Sequence, residues 1–209
     1  MKPLILVGGG GHCKSVIEVA ESAGHTILGI LERPDNTEKR VMGYPVIGTD
    51  DDIPAYVDKV EFIVTVGFIK KVAVRVRLHD EILSLGGKLA TLIASTARVS
   101  SHAIIGEGTV IMHQVVINAD ARVGKGCIIN TSCNIEHDVT IGDHCHISTG
   151  AMVNGSCNVG ECTFVGSQSV IVNDVSVAAH SIIAAGSVVR ENIRGAGIYA
   201  GNPAVLYRK

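Results

Sequence analysis

Between residues 133 and 148 the chain reads CNIEHDVTIGDHCHIS, with three histidines and three acids in sixteen positions. Side chains of these types support different chemistries. Histidines and carboxylates can bind a metal, and zinc takes three or four converging ligands. A histidine beside a carboxylate, as at His137-Asp138, can act as a general base near neutral pH, because an adjacent anion raises its affinity for a proton. The same residues also suit a solvated patch on a structural repeat. Type and spacing leave all three readings open, and the element that carries the residues must decide between them.

Counting identifies that element. The pairs Ile105-Gly106, Val123-Gly124, Ile141-Gly142 and Val159-Gly160 recur every 18 residues, and steps of six from Ile93 to Val189 meet Ile or Val at all seventeen positions. The residues two before each aliphatic, from Thr91 through Cys133 to Ser187, are never larger than Val. Period-two alternation along a strand accounts for both rules, with an aliphatic and a small residue pointing inward in turn. Gly, Asn or Ser often follows the aliphatic, as at Gly106, Asn118, Gly142 and Asn154. These types tolerate the backbone conformation of a corner. The pattern describes a parallel β-helix with three short strands per 18-residue coil and coils stacked about 4.8 Å apart. A narrow prism explains why 46% of residues are hydrophobic yet only 3% aromatic. Cys127, Cys133, Cys145 and Cys157 take the small inward position and are read as packing, with all the cysteines free thiols.

The first ninety residues read differently. Strands are expected at 4–7, 26–32 and 62–67, with a helix after the glycines at 8–11 and another through KKVAVRVRLHDEILSLGG. Strand–helix–strand with a glycine turn is a Rossmann-like α/β arrangement. Backbone N–H groups at such a turn attract phosphate, and Glu32, at the end of the second strand, is placed to bond a ribose hydroxyl. The full dinucleotide fingerprint is not met, because its third glycine falls on Cys13. A mononucleotide or nucleotide sugar, or a turn without a ligand, remains. The expected division is 1–90 for the α/β domain and 91–209 for the β-helix with its C-terminal tail.

Bulk properties exclude some classes. A net charge of −2 provides no field for nucleic acid or acidic lipid. No run approaches the roughly 18 apolar residues of a membrane span, and the N-terminus lacks a signal-peptide core. A soluble, cytoplasmic protein is expected.

This layout resembles the hexapeptide-repeat acyltransferase superfamily, and within it the PglD/NeuD-type sugar acetyltransferases. The resemblance rests on VGGGGHC at 7–13, IEHDVTIGDHCHISTGA at 135–151 and YAGNPA at 199–204. It implies a left-handed β-helix, a homotrimer with sites between subunits, and acetyl-CoA as co-substrate. It also implies a nucleotide-linked amino sugar as acceptor and a place in polysaccharide assembly. His137 takes the place of the family's general base, and Asp138 that of the acid raising its basicity. His146 corresponds to a contact with the thioester region, and Gly155, Ser167 and Ala185 to coenzyme contacts. Gly10, Gly11, His12, Glu32, Arg33 and Gly48 match nucleotide-sugar positions. Arg190, Arg194, Arg208 and Lys209 either meet coenzyme phosphates or form a solvated basic tail.

Position in the repeat adds an independent test. His137, two after inward Ile135, sits at a corner, and its neighbours one coil away, Ala119 and Gly155, are small. That leaves space beside the imidazole. His146 directly precedes inward Ile147 and so faces outward, half a coil from His137. The two lie on different faces and meet only if another subunit supplies one of them. No metal is expected, because Asp138 and Asp143 do not converge with His144 and His146. The leading expectation is direct attack of a sugar amine on the thioester, with His137 taking the proton and a Gly155 N–H or His146 facing the oxyanion. An O-acetyltransferase of the sialic-acid type and a non-enzymatic nucleotide-sugar binder are the rivals.

Overall fold

The computed structural model describes residues 2–36 and 39–208. It consists of a Rossmann-like α/β domain followed by a left-handed parallel β-helix. Strands β1 (Leu4–Val7), β2 (Ile27–Leu31), β3 (Arg40–Val41), β4 (Tyr44–Gly48) and β5 (Glu61–Val64) form one sheet in the order β3-β4-β2-β1-β5. All are parallel except β3, which pairs antiparallel with β4. The β3–β4 hairpin was not expected. Its turn residues Met42 and Gly43 both have positive φ (48° and 87°), as a two-residue hairpin turn matching strand twist demands. Helices α1 (Gly11–Ser22) and α2 (Ala73–Ser84) follow β1 and β5. Helix α1 buries Cys13, Val16, Ile17, Val19 and Ala20.

The α/β sheet runs directly into the prism. Phe62 of β5 exchanges backbone hydrogen bonds with Lys88 and Ala90, and Leu92–Ile93 is already the first strand of the β-helix. Three sheets of six, five and eight strands make the prism. Their parallel ladders join residues 18 apart, as in Ile117 to Ile135 to Val153. The inward aliphatics from Ile111 to Val189 are at most 3% exposed. Ile93 departs from the rule at 38%, because no coil lies beneath the first one.

Two features of the coils correct the sequence reading. The first concerns the corners. Every sixth residue from Gly108 to Gly186, including Gln114, Asp120, Ser132, Asp138, His144, Ser156 and Cys162, has φ between 53° and 69°. The corner strain thus falls three residues after the aliphatic and is borne mostly by non-glycine residues. Gly106 and Gly142, directly after the aliphatic, have ordinary φ and are glycine for another reason. A Cβ on either would come within 2.5 Å of the backbone of the next coil, so these glycines let coils stack.

The second concerns the small inward residues, which do more than fill space. Thr91, Thr109, Cys127, Cys145 and Thr163 each donate to the carbonyl fifteen residues ahead, from Gly106 to Ala178. Each ties a corner to the next coil. The cysteines are free, and burial pushes the Cys133 thiol up to about 12.

The α/β domain covers the outer face of the eight-stranded sheet. Leu92, Val110 and Ile128, which point out of the prism, are fully buried, and the first two share a core with Leu4, Leu6, Val16 and Ala20. Arg75 of α2 is also fully buried and spans the junction. Its guanidinium donates to the carbonyls of Val64 (2.6 Å), Val66 (3.1 Å) and Gly126 (2.9 Å).

Candidate active site

The strand Asn134–Ile135 delivers the chain to the corner His137-Asp138, with Asp138 at φ 61°. His137 keeps 59% of its side chain exposed, and its Nδ1 donates to Asp138 Oδ2 at 2.7 Å. That bond fixes the tautomer and leaves Nε2 free to accept a proton. It is also the main reason the His137 pKa is raised, against an opposing effect of burial and aided by the charges of Asp138 and Glu136. Glu136 is held in turn by Asn134 Nδ2 (2.8 Å) and Asn118 Nδ2 (2.9 Å). These bonds, Asn134's first, keep its carboxyl below the usual range. The sequence reading missed this support, although Asn118 and Glu136 stand one 18-residue coil apart.

Gly155 lies where the repeat placed it, one coil from His137, but the space there is not empty. A Cβ on Gly155 would stand 2.8 Å from His137 Cε1 and 2.9 Å from Nε2. The imidazole rests on the bare backbone of Gly155.

His146 is not a surface residue. It is 9% exposed and lies under the loop after β5, with its Nδ1 donating to the Phe68 carbonyl at 2.8 Å. Its Nε2 therefore accepts from Asn130 Nδ2 at 3.3 Å, and the Phe68 and Phe164 rings meet it edge-on. Burial pushes its pKa down to about 4, so it is neutral at pH 7. Its neighbour His144 turns elsewhere, its ring set edge-on to His79 of α2 at 5.2 Å. The pair that resembled a metal motif thus faces two different partners.

The N-terminal residues converge on a cavity of about 650 Å³, within the range of small-molecule sites. Gly10, Gly11, His12, Glu32 and Arg33 all line it. A Cβ on Gly10 or Gly11 would meet open space, and α1 begins at Gly11 with no side-chain cap. Gly8, at φ 108° with Val66 pressed against it, is the glycine that this turn requires. The Glu32 carboxylate, expected to bond a ribose, lines the cavity and accepts from the backbone N–H groups of Gly9 and Arg33. It braces the glycine loop. Gly48 lies outside the lining and accepts the Glu32 N–H at 3.0 Å. Lys71, Arg33 and Arg77 bring positive charge, with Arg77 tied to Asp50 and Glu81. His12 Nε2 is buried without a partner, and burial pushes its pKa down to about 3.

Ser167 and Ala185 stack one coil apart at the corner between the eight- and six-stranded sheets. Ser167 Oγ pairs with Ser148 Oγ at 2.9 Å. His137, Asp138 and Gly155 occupy the next corner, between the six- and five-stranded sheets. That corner is opposite the face covered by the α/β domain. Within one chain the exposed histidine and the glycine cavity therefore lie on opposite sides of the prism. Lys209 and the Arg208 side chain lie outside the described residues.

A hexapeptide prism with an exposed histidine–carboxylate pair, joined to a Rossmann-like domain with a glycine cavity, defines a hexapeptide-repeat acyltransferase. Comparison with known proteins narrows the class. Residues 3–82 match the PglD N-terminal domain, and residues 120–155 match the bacterial transferase hexapeptide. PerB from Caulobacter crescentus, solved with CoA and GDP-perosamine, is 31% identical, with a TM-score of 0.91 over 99% of this chain and 97% of that one. The acetyltransferase domain of PglB from Neisseria gonorrhoeae, solved with acetyl coenzyme A, is 33% identical over 98% of both chains, with a TM-score of 0.90. WeeI from Acinetobacter baumannii shares the fold at 20% identity and a TM-score of 0.87 over 99% of this chain and 100% of that one. The sequence matches none of the curated proteins searched. The chain belongs to the hexapeptide-repeat sugar N-acetyltransferases with a PglD-type N-terminal domain.

Proposed function

We propose that this protein transfers the acetyl group of acetyl-CoA to the amine of a nucleotide-linked amino deoxy sugar. The observation that carries the reading is the His137 imidazole. Its Nδ1 is held by Asp138, its Nε2 is open, and its affinity for a proton is raised. As the amine attacks the thioester carbonyl, Nε2 takes its proton, the C–N bond forms and the C–S bond breaks. The imidazolium then protonates the departing thiolate. The thioester is already activated, so no acyl-enzyme is needed, and the buried thiols with raised pKa values are unsuited to form one.

In this reading His146, Gly155, Ser167 and Ala185 line the path of the coenzyme. Gly10, Gly11, His12, Glu32, Arg33 and Gly48 shape the nucleotide-sugar site, with Glu32 and Gly48 acting by bracing the glycine loop. Residues 1–90 serve the acceptor and 91–209 the acyl transfer. The opposite placement of His137 and the cavity favours a homotrimer in which one subunit's cavity serves another's base. We place the enzyme in the cytoplasm, in the assembly of a surface polysaccharide; among the described residues no helix is long and apolar enough to cross a membrane.

The test is a screen of nucleotide amino sugars, with sialic acid as the hydroxyl control, read by thiol release from acetyl-CoA. Release with an amino-sugar nucleotide is expected. Release with sialic acid alone, or with neither, would overturn the proposal.

A further inference from the structure

We infer that Asn173 is a further catalytic residue, placed to donate a hydrogen bond to the acyl oxygen as it becomes negative. The inference rests on His137 being the base. Ala119, His137, Gly155 and Asn173 follow one another at 18-residue intervals and so stack on one corner. Gly155, between the last two of interest, has no side chain, and both neighbours lean over it. The point a Gly155 Cβ would occupy is 2.9 Å from His137 Nε2 on one side and 3.3 Å from Asn173 Nδ2 on the other. The base's free nitrogen and an amide donor thus face one small region. Asn173 is exposed, and among the described residues its amide has no hydrogen-bond partner.

The reaction needs a donor in that place. The attacking amine stands within hydrogen-bond reach of Nε2, and the oxygen that becomes anionic is two bonds from the amine nitrogen. A donor must lie about 2.7–3.1 Å from that oxygen, and hence within roughly 8–9 Å of Nε2. Asn173 meets this condition. Glu136 and Asp138, the acids beside His137, are acceptors and cannot serve. Asn173 carries no charge, so it stabilises the oxyanion without altering the protonation of His137.

That neutrality separates Asn173 from a residue that merely shapes the corner. In Asn173→Ala, kcat should fall about 100-fold, while the KM for acetyl-CoA, the acid limb of the pH profile and the thermal midpoint stay unchanged. Asn173→Asp removes the donor and sets an anion facing Nε2, so kcat should fall further and the acid limb should move to higher pH. His137→Ala is measured alongside. If it loses turnover while Asn173→Ala keeps its kcat within twofold, the assignment of Asn173 is wrong and the base stands. If both variants keep their rates, the reading of the whole corner is wrong.

Discussion

Acidification should unfold this protein well before its carboxylates titrate, because the junction between its two parts is built on neutral imidazoles. His12, His79 and His146 are held at about 3, about 2 and about 4, in each case chiefly by burial and further by the nearby Arg75. An unfolded chain returns each to about 6.5. Below that value the unfolded state gains three protons that the folded state refuses. The stability these groups contribute is therefore present above pH 6.5 and lost as pH falls towards their folded values. Each proton of difference is worth about 1.4 kcal/mol per pH unit. Between pH 7.5 and 5 the three together remove about 6 kcal/mol, against a typical total of about 5–15 kcal/mol. His144 shifts the same way, while the raised His137 shifts the opposite way at an exposed site. Urea unfolding at constant ionic strength, repeated between pH 7.5 and 5, reads the slope. The ring of His79 packs on Gly108 and Gly126, so His79→Phe keeps much of the volume and removes one titration. Its slope should be shallower by about 1.4 kcal/mol per pH unit. Stability that is flat down to pH 5, or a wild-type slope in His79→Phe, would refute the reasoning.

Three further outcomes follow from the corner and the coil stack. His137→Ala should lose about 100- to 10,000-fold in kcat with an unchanged circular dichroism spectrum. The wild-type rate should fall as pH drops through a value above 6.5, since a raised pKa means the base is lost sooner on acidification. In Asp138→Asn that limb should move to lower pH, read from kcat/KM profiles. Gly155→Ala forces the His137 ring aside and should cost about 10- to 100-fold in kcat with little change in melting temperature. Gly142→Ala, whose Cβ would stand 2.5 Å from the Glu161 backbone nitrogen, should do the reverse. It should lose about 1–3 kcal/mol of stability in a denaturant titration with the site chemistry intact.

The β-helix was legible because a prism this narrow admits few side chains, so the need for Ile or Val every sixth residue is written directly in the sequence. The corner conformation was not, since Gln114, Ser132, His144 and Cys162 accept positive φ without being types that announce it. The cavity residues were legible as a glycine turn, but the bracing role of Glu32 depends on a contact with Gly9 made across the sheet. The burial of His146 was missed for a similar reason. Its period says outward, and only the α/β domain covers it. A signal was available: Leu92, Val110, Ile128 and Phe164 occupy the equivalent outward positions in other coils. An apolar stripe on an outward face marks a covered face.

That difference in cover assigns the chemistry. His137 and His146 share a tautomer, each donating from Nδ1, one to a carboxylate and the other to a backbone carbonyl. A carboxylate stabilises the imidazolium by charge, while a carbonyl offers only its dipole. Nε2 of His137 opens beside the bare Gly155 backbone, whereas Nε2 of His146 is met by Asn130, whose own Oδ1 is fixed by the Thr131 N–H at 2.8 Å. Burial disfavours a proton on His146, whereas Asp138 favours one on His137. His146, held at about 4, stays a neutral wall, so the proposed acyl transfer would run on one base rather than a histidine pair.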